Sequence, residues 1–317
     1  MPHPGVAPGA LHGRIGGVTP SSGTQFSLAS GDYRAEVASI GATLRSLRRG
    51  DRDLVLPFPA DQVRPRYLGA AALFPWPNRV VDGRYSFEGE EQQLAITEPE
   101  RGHALHGLAA WLDYTATEQT ADAVTLSATV VPQQGYPHRI DTSVRFSLGA
   151  DGLTCSVSAV NAGSSRAPFG TATHPYLVAG PGVADDWTLT LPASRVLEVD
   201  ERLSPVREVE VPAEFDFREH RPVGGTQMDH AFTGLVRDDA GQAEVRILAV
   251  DGRGVALTWG REYPWLQAFT ADVPDLGRHG IAVEPMTCAP DAFNSGTGLL
   301  VLEPGESFTG SWNLAAV

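Results

Sequence analysis

The sequence predicts an all-β fold built from many short antiparallel strands. Glycine and proline are frequent, with 34 and 24 copies spread along the 317 residues, and only 20% of the residues are charged. Such a composition is typical of short strands joined by tight turns. Many segments alternate apolar and polar residues with a period of two, whereas no segment sustains a helical period over roughly 12 residues with caps at both ends.

The alternation places the strands in order along the chain. The first runs over residues 33–40 and the second, after a bend at Gly41, over 44–47. Further strands are expected over residues 124–130, 142–148, 153–160, 187–191, 245–250, 255–259 and 265–270. The segment 149–152, Gly-Ala-Asp-Gly, is a hairpin signal between two of them.

The domain organisation follows from what the chain lacks. No shift in composition and no exact repeat marks a linker, so residues 23–317 are expected to form a single β-sandwich domain. Residues 1–22 are rich in Gly, Pro and Ser and are expected to be a loose leader.

Charge and residue usage exclude several functions. The net charge is −14 and the cationic residues are scattered, which argues against nucleic-acid and membrane partners and favours a small molecule. All 24 cationic residues are arginine, so the chain can supply no lysine for a Schiff base or a phosphate-binding loop. No Gly-x-Gly-x-x-Gly follows a strand, which argues against a dinucleotide cofactor.

Cysteine usage and hydropathy predict a cytoplasmic protein. Cys155 and Cys288 are the only cysteines, and the start of the chain has no secretory pattern. Apolar runs such as residues 299–302 are far shorter than the roughly 20 residues that cross a bilayer.

Glu284 is the first candidate catalytic residue. It stands in an apolar segment directly before Pro285, which disfavours the helical region for Glu284 and so holds it in an extended conformation. A carboxylate fixed between Val283 and Met286 could be desolvated and tuned for proton transfer. The alternative is an edge-strand glutamate that points at water.

A stiff loop presents a second pair of candidates. The prolines and the tryptophan of Phe74-Pro75-Trp76-Pro77 precede Asn78 and Arg79, which would therefore be presented with little freedom. Alternatively, Arg79 could be a surface cation stacked on Trp76.

Two histidines three residues apart raise the question of a metal. His103 and His106 could ligate one if their turn were helical, but Gly102 and Gly107 make a helix improbable and no acidic or thiol partner has a familiar spacing. A hydrogen-bonding role is expected instead, with no metal.

His174 and Asp229 complete the set of candidates. Pro175 restrains His174 as Pro285 restrains Glu284, which makes His174 a candidate acid, although a lone histidine is more often structural. Asp229 could accept hydrogen bonds from a polar ligand or could be a turn aspartate bonded to its own backbone.

Taken together, these motifs resemble the aldose 1-epimerase family, the galactose mutarotases, over residues 33–312. The likeness lies in their order along the chain: Asn78-Arg79, Leu105-His106-Gly107, His174-Pro175-Tyr176, Asp229 with Phe232, Glu284-Pro285, and Pro290-Asp291-Ala292-Phe293-Asn294. His103 stands where many members of the family have asparagine.

The resemblance implies a galactose-mutarotase-like supersandwich of many antiparallel strands with a sugar cleft on a concave face. It implies that Glu284 is the general base and His174 the general acid, that Arg79 and His106 contact the sugar near its ring oxygen and hydroxyls, and that Asp229 binds hydroxyls. It also implies a site without metal or cofactor.

The implied activity is the interconversion of the α and β anomers of a hexose such as glucose or galactose, by a protein that is a monomer or a homodimer. The base removes the proton of the anomeric hydroxyl while the acid protonates the ring oxygen, so we expect the two groups to face each other across the sugar. Asn78 and Gln267 are also expected near the substrate. Trp76, Tyr176 or Trp265 could pack against the apolar face of the sugar, with core packing expected instead for at least half of these aromatic residues.

Three other functions stay open at this level. A hexose-6-phosphate 1-epimerase would need arginines around the phosphate, for which Arg64, Arg66, Arg84 and Arg101 are candidates. A non-catalytic sugar-binding module could retain the fold. A lyase or hydrolase would need a second carboxylate, for which Asp291 is available.

Overall fold

In the computed structural model, which describes residues 19–317, the regular structure is almost entirely β-strand. The strands, in chain order, are β1 Gln25–Ser30, β2 Tyr33–Ala38, β3 Thr43–Arg49, β4 Arg52–Asp53, β5 Arg79–Val80, β6 Arg84–Phe87, β7 Glu90–Gln93, β8 Ala104–Leu105, β9 Thr115–Gln119, β10 Ala123–Val130, β11 Ile140–Gly149, β12 Gly152–Asn161, β13 Ala167–Phe169, β14 Tyr176–Leu177, β15 Thr188–Thr190, β16 Ala193–Val199, β17 Pro205–Glu210, β18 Arg221–Pro222, β19 Asp229–Leu235, β20 Ala243–Leu248, β21 Gly254–Trp259, β22 Trp265–Phe269, β23 Ile281–Met286, β24 Leu300–Leu302 and β25 Ser307–Ala316. The helical elements are α1 Ala292–Ser295 and 3-10 turns at Val81–Gly83, Ala109–Trp111 and Ala184–Asp186.

The predicted all-β fold is confirmed. The strands pair antiparallel, and the hairpin predicted at residues 149–152 joins β11 to β12. Most of the predicted leader, residues 1–22, lies outside the described residues, and the single-domain organisation of 23–317 stays a prediction. Within the part of the chain that the structure covers, no helix is long and apolar enough to span a membrane.

Two large sheets dominate the architecture. A nine-stranded sheet has the order β18-β15-β20-β21-β25-β12-β11-β10-β9, and a six-stranded sheet has the order β14-β23-β22-β19-β16-β17. A four-stranded sheet, β1 to β4, contacts β10 and β11 of the larger sheet through β1 and β2. Three two-stranded ribbons complete the set: β13-β24, β5-β8 and β6-β7.

The six-stranded sheet is buried on both faces near its centre. Every residue of β23 is buried, and β22 is buried except for Phe269. One face, carrying Leu266, Ala268 and Val283, belongs to the main hydrophobic core. Because side chains alternate between the faces of a strand, the intervening residues of β22 and β23 lie on the opposite face, where the candidate site forms.

Candidate active site

The register of the six-stranded sheet brings four candidate residues to one face. Gln267 of β22 is paired directly with Glu284 of β23, and Phe269 is paired with both Asp229 and Ala282. Ala282 is in turn paired with Tyr176 of β14. Directly paired residues share a face of a sheet, so the four polar side chains point to the same side.

All eight site residues predicted from the sequence line one cleft of about 330 Å³ on this face. They are Asn78, Arg79, His106, His174, Tyr176, Asp229, Gln267 and Glu284. The cleft is also lined by residues from three further segments, namely Arg66 and Tyr67, then Thr97, Glu98, Glu100, Arg101 and Leu105, and finally Asp272 and Val273. Distant parts of the chain thus converge, while the roles of these residues stay predictions.

His174 and Glu284 are in direct contact. The Nε2 atom of His174 lies 3.2 Å from Oε1 of Glu284, and both side chains are buried. The expected arrangement, with the two groups facing each other across a sugar, is therefore wrong: they lie side by side. A substrate must reach both from the same side of the cleft.

The two prolines explain how this contact forms. The segment before β14 runs antiparallel to β23, where the Val283 amide donates to the Pro175 carbonyl (3.1 Å) and the Thr287 amide donates to the Thr171 carbonyl (3.0 Å). Pro285 lies midway between these two donors and has no amide hydrogen to contribute. The amide of residue 285 would be the donor between those of Val283 and Thr287, so one bond of this pairing is missing, and the bonds on either side of it set the register that places Glu284 opposite His174.

Burial shifts both members of the pair toward their neutral forms. Desolvation, with the nearby charge of Asp229, raises the pKa of Glu284 well above its ordinary value, and Arg79 opposes this only in part. Desolvation, together with the positive charge of Arg64, lowers the pKa of His174 to about 3. Both shifts disfavour the charged forms of the two side chains.

Several polar atoms at this contact have no hydrogen-bond partner among residues 19–317. They are Oε2 of Glu284, Nδ1 of His174 and Oε1 of Gln267. Buried polar atoms are usually paired, and leaving one unpaired costs about 1–3 kcal/mol. The cluster is therefore arranged to interact with something other than the fold.

His106 is held by the backbone of Asn78. The Asn78 amide donates to Nδ1 of His106 (3.2 Å), and the His106 amide donates to the Asn78 carbonyl (2.8 Å). Both residues have left-handed backbone conformations, with φ of 53° and 58°. Gly107 follows because a Cβ there would lie 2.2 Å from the Phe74 carbonyl oxygen. Together these contacts account for the pairing of the Asn-Arg and Leu-His-Gly motifs.

The same hydrogen bond fixes what His106 offers to a ligand. Desolvation and the neighbouring His174, Arg79 and Arg64 lower the pKa of His106 well below its ordinary value, so the ring is neutral. Because Nδ1 accepts a hydrogen bond, Nε2 carries the proton and is a donor.

One group of possible metal ligands lies in the cleft. Ligand atoms of His106, His174 and Glu284 all lie within 4.8 Å of one another. The donor set fits a metal poorly, because a ligating nitrogen must be unprotonated and the bond from Asn78 leaves the proton on Nε2 of His106. The geometry suits a hydrogen-bonding site better.

Arg79 is bound by a residue that the sequence analysis did not single out. Its Nε and Nη2 atoms donate to the two carboxylate oxygens of Glu98 at 2.8 and 2.9 Å, and Arg101 donates to the same carboxylate at 2.9 Å. Glu98 is buried. Its pKa is raised by desolvation but lowered more by the bonds and charges of Arg79 and Arg101, with a net decrease. Glu98 is thus a buried carboxylate that stays ionised.

Asp229 contacts Gln267 and lies near Arg79. Its Oδ1 accepts a hydrogen bond from Nε2 of Gln267 (2.7 Å), and its Oδ2 lies 4.0 Å from Nη2 of Arg79. Its side chain is about 31% exposed, which leaves oxygen lone pairs accessible from the cleft. Asp229 can therefore accept hydrogen bonds from ligand hydroxyls.

Tyr176 lies beside His174 in the cleft. Its ring stacks on His174 with centroids 4.9 Å apart and planes at 10°. The other two aromatic candidates, Trp76 and Trp265, do not line the cleft and have the alternative role, core packing. Trp76 donates to the Ala104 carbonyl and packs on Tyr136 and Phe293, and Trp265 is buried in a small apolar cluster.

Arg66 and Arg101 line the cleft, whereas the other four candidates lie outside it. His103 is fully buried, where its Nδ1 accepts from the Asp82 amide and its Nε2 contacts the Arg202 carbonyl. The carboxylate of Asp291 accepts from the Val81 amide (2.9 Å) and from Asn294 (2.7 Å), so it is a turn aspartate. Arg64 is buried behind the site, and Arg84 lies at the separate β6-β7 ribbon.

Comparison with known proteins agrees with the geometry. A family model described as Aldose 1-epimerase matches residues 24–315. The chain is 36% identical over 287 residues to YihR, an uncharacterized protein of Escherichia coli (strain K12), with 90% of this chain and 91% of YihR covered. The chain therefore belongs to the aldose 1-epimerase family.

Solved structures show the same fold. The GalM/aldose epimerase homologue from C. elegans has a TM-score of 0.81 at 18% identity, with 93% of this chain and 98% of that chain covered. The galactose 1-epimerase from Lactobacillus acidophilus NCFM has a TM-score of 0.76 at 20% identity, with 90% and 91% covered. At these identities the likeness establishes the fold.

Proposed function

We propose that the protein is an aldose 1-epimerase that interconverts the α and β anomers of a hexose such as glucose or galactose. The observation that carries the proposal is the 3.2 Å contact between Glu284 and His174 in the floor of a polar cleft. The two oxygens of a hemiacetal are bonded to the same carbon. A base and an acid that lie side by side can therefore reach both oxygens at once.

Ring opening conserves protons within the pair. Glu284 as carboxylate takes the proton of the O1 hydroxyl, protonated His174 gives its proton to O5, the C1–O5 bond breaks and the C1–O1 bond becomes a carbonyl. Rotation about C1–C2 exposes the other face of the aldehyde, and reclosure reverses both transfers. Each positioned transfer contributes typically ~10²- to 10⁴-fold to the rate.

The shared proton links this chemistry to the burial of the pair. Glu284 and His174 hold one proton between them, and a single transfer across their contact converts the neutral resting form into the carboxylate–imidazolium form that starts the reaction. Ring opening returns the pair to a protonated carboxyl group and a neutral imidazole. Desolvation favours these neutral forms. The low-polarity site therefore favours ring opening, the step in which both side chains lose their charge.

The surrounding groups are suited to hold a polyhydroxylated ring. His106 and Arg79 supply donors for sugar oxygens, whereas Asp229 accepts from hydroxyls and Asn78 positions both donors. Gln267 has a free acceptor beside Glu284, and Tyr176 offers an aromatic surface. These donors and acceptors are fixed before substrate binding, which favours electrostatic stabilisation of developing charge.

The charge of the cleft favours a neutral hexose over its 6-phosphate. Five acidic residues and three arginines line it: Glu98, Glu100, Asp229, Asp272 and Glu284 against Arg66, Arg79 and Arg101. Arg66 is paired with Asp275 (2.8 Å) and Arg101 with Glu98 (2.9 Å), so neither rim arginine is free to neutralise a phosphate. Arg64 and Arg84 do not line the cleft.

The test follows a freshly dissolved anomer by polarimetry. We expect accelerated mutarotation of glucose or galactose, with little acceleration for the 6-phosphates, and loss of the acceleration in Glu284→Gln and His174→Asn. Glu118→Gln, which breaks an exposed ion pair with Arg145 outside the cleft, is the matched control. Near-normal rates in both soluble site variants would sink the assignment, and saturable sugar binding without acceleration would indicate a non-catalytic module.

A further inference from the structure

The loop that carries Glu98 is closed on itself. The amides of Arg101 and Gly102 donate to the Glu98 carbonyl at 3.2 and 2.8 Å, and the amides of Thr97 and Glu98 donate to the His103 carbonyl at 3.1 and 3.0 Å. These bonds define a turn over residues 97–103. Its closure turns the Glu98 carboxylate inward while the polar residues around it, Glu100 and Arg101, line the rim of the cleft.

A second turn braces this loop from outside. Nε2 of His103 donates to the Arg202 carbonyl (3.0 Å), and Nε of Arg202 donates to the Arg101 carbonyl (2.9 Å). The brace is itself rigid, because Oδ1 of Asp200 accepts the amides of Arg202 and Ser204 at 2.8 Å each. The position of Glu98 is therefore set by contacts with a turn that lies far along the sequence, because His103 and Arg202, which share the hydrogen bond, are 99 residues apart.

Glu98 determines where the Arg79 guanidinium points. It binds Arg79 through two parallel bonds of 2.8 and 2.9 Å, a geometry that fixes the plane of the guanidinium. The other carboxylate near Arg79, Asp229, is 4.0 Å away and also accepts from Gln267. Without Glu98, Arg79 would be drawn toward Asp229, which the proposed function needs for sugar hydroxyls.

Glu98 also offsets the charge of Arg79 next to the acid–base pair. The positive charge of Arg79 acts to lower the pKa of Glu284, against desolvation and Asp229. A carboxylate bound to Arg79 at both oxygens weakens that effect, since the guanidinium field is then partly cancelled.

We propose that Glu98 is a positioning residue for anomer exchange, which fixes Arg79 in the cleft and partly cancels its positive charge. In this proposal the 200–204 turn holds Glu98 in place through His103. The proposal rests on the proposed function. Glu98 touches no reacting atom, and it acts through Arg79.

The test compares Glu98→Gln with wild type and with the control Glu118→Gln, by kcat/KM for glucose or galactose as a function of pH. We expect kcat/KM to fall by up to about 100-fold, because a misplaced guanidinium no longer orients the sugar. The alkaline limb of the profile, which reports loss of the one proton that the pair holds, should move to lower pH, because the unshared charge of Arg79 lowers the pKa of Glu284. Wild-type kinetics, or a fall without movement of the limb, would overturn the proposal.

A second variant and a second measurement keep the proposal testable. Glu98→Asp keeps the charge but is shorter by one methylene, so we expect a smaller loss and an unmoved limb; activity equal to wild type would contradict the role of the two-point contact. If the wild-type chain accelerates no anomer exchange, the proposed function fails. Glu98 is then judged by glucose and galactose affinity in calorimetry, where Glu98→Gln should bind several-fold more weakly, and equal affinity would overturn its role.

Discussion

Two buried polar clusters share the walls of the cleft and treat charge in opposite ways. At Arg79 and Glu98, each charged group has a partner of opposite sign at 2.8–2.9 Å, and both remain ionised. At Glu284 and His174, burial is not compensated, the pKa values move toward the neutral forms, and atoms of both side chains lack partners among the described residues. The polar groups of the first cluster are hydrogen-bonded to each other, whereas the second cluster has polar atoms that can still form hydrogen bonds with a ligand.

The largest expected effect separates activity from stability at Glu284. We expect Glu284→Gln to reduce the exchange rate by at least ~10²-fold, because the proton acceptor is lost. The same change removes an ionisable group that burial disfavours, so we expect a gain in the free energy of unfolding of about 0.5–2 kcal/mol at neutral pH. Polarimetry and thermal unfolding of the same preparation check both, and a lower Tm together with lost activity would contradict the comparison.

At the cluster of Arg79 and Glu98 we expect a substitution to lower the free energy of unfolding. Arg79→Gln should lower both kcat/KM and the free energy of unfolding, the latter by about 3 kcal/mol, because it leaves the buried Glu98 carboxylate with Arg101 alone. Denaturant unfolding measures the loss. A variant as stable as wild type would mean that the two clusters do not differ in the way their hydrogen bonds indicate.

We expect an effect of intermediate size when the stability of the Glu284–His174 cluster is measured as a function of pH. The folded-state pKa of Glu284 is raised above its ordinary value of 4.5. Its contribution to stability is therefore fully present below about pH 4.5 and is lost as pH rises through the folded-state value. We expect the stability of wild type relative to Glu284→Gln to fall as pH increases from 4.5. A difference in the free energy of unfolding between wild type and Glu284→Gln that stays constant across this window would contradict the raised pKa.

The two clusters also differ in how far the sequence could predict them. Glu284 and His174 each precede a proline in an apolar segment, a local signal that the sequence shows directly. Glu98 stands in Thr97-Glu98-Pro99-Glu100-Arg101, which has the composition of an exposed turn. Only the pairing of β5 with β8 and the closure of the loop bring it to Arg79, and such tertiary contacts leave no periodic pattern in the sequence.

The strands show the same division between local and tertiary information. Long alternating segments such as β11 and β12 were predicted within one or two residues of their ends. The strands β16, β17 and β19, which complete the six-stranded sheet, contain polar residues on both faces and were missed. The side-by-side contact of His174 with Glu284 was also beyond prediction, because it depends on the register between β23 and the segment before β14.

The smallest expected effect concerns metal. His106, His174 and Glu284 offer three ligand atoms within 4.8 Å, so the unspent capacity of the second cluster could in principle serve a cation. The Asn78 amide holds the proton of neutral His106 on Nε2, which makes that atom a donor to a sugar oxygen. We therefore expect the rate of anomer exchange to be the same before and after dialysis against EDTA, within the error of polarimetry. Loss of activity with EDTA and its recovery on addition of zinc would mean that His106 is a metal ligand and not a hydrogen-bond donor to the sugar. It would also contradict the conclusion that the cluster binds hydroxyl groups.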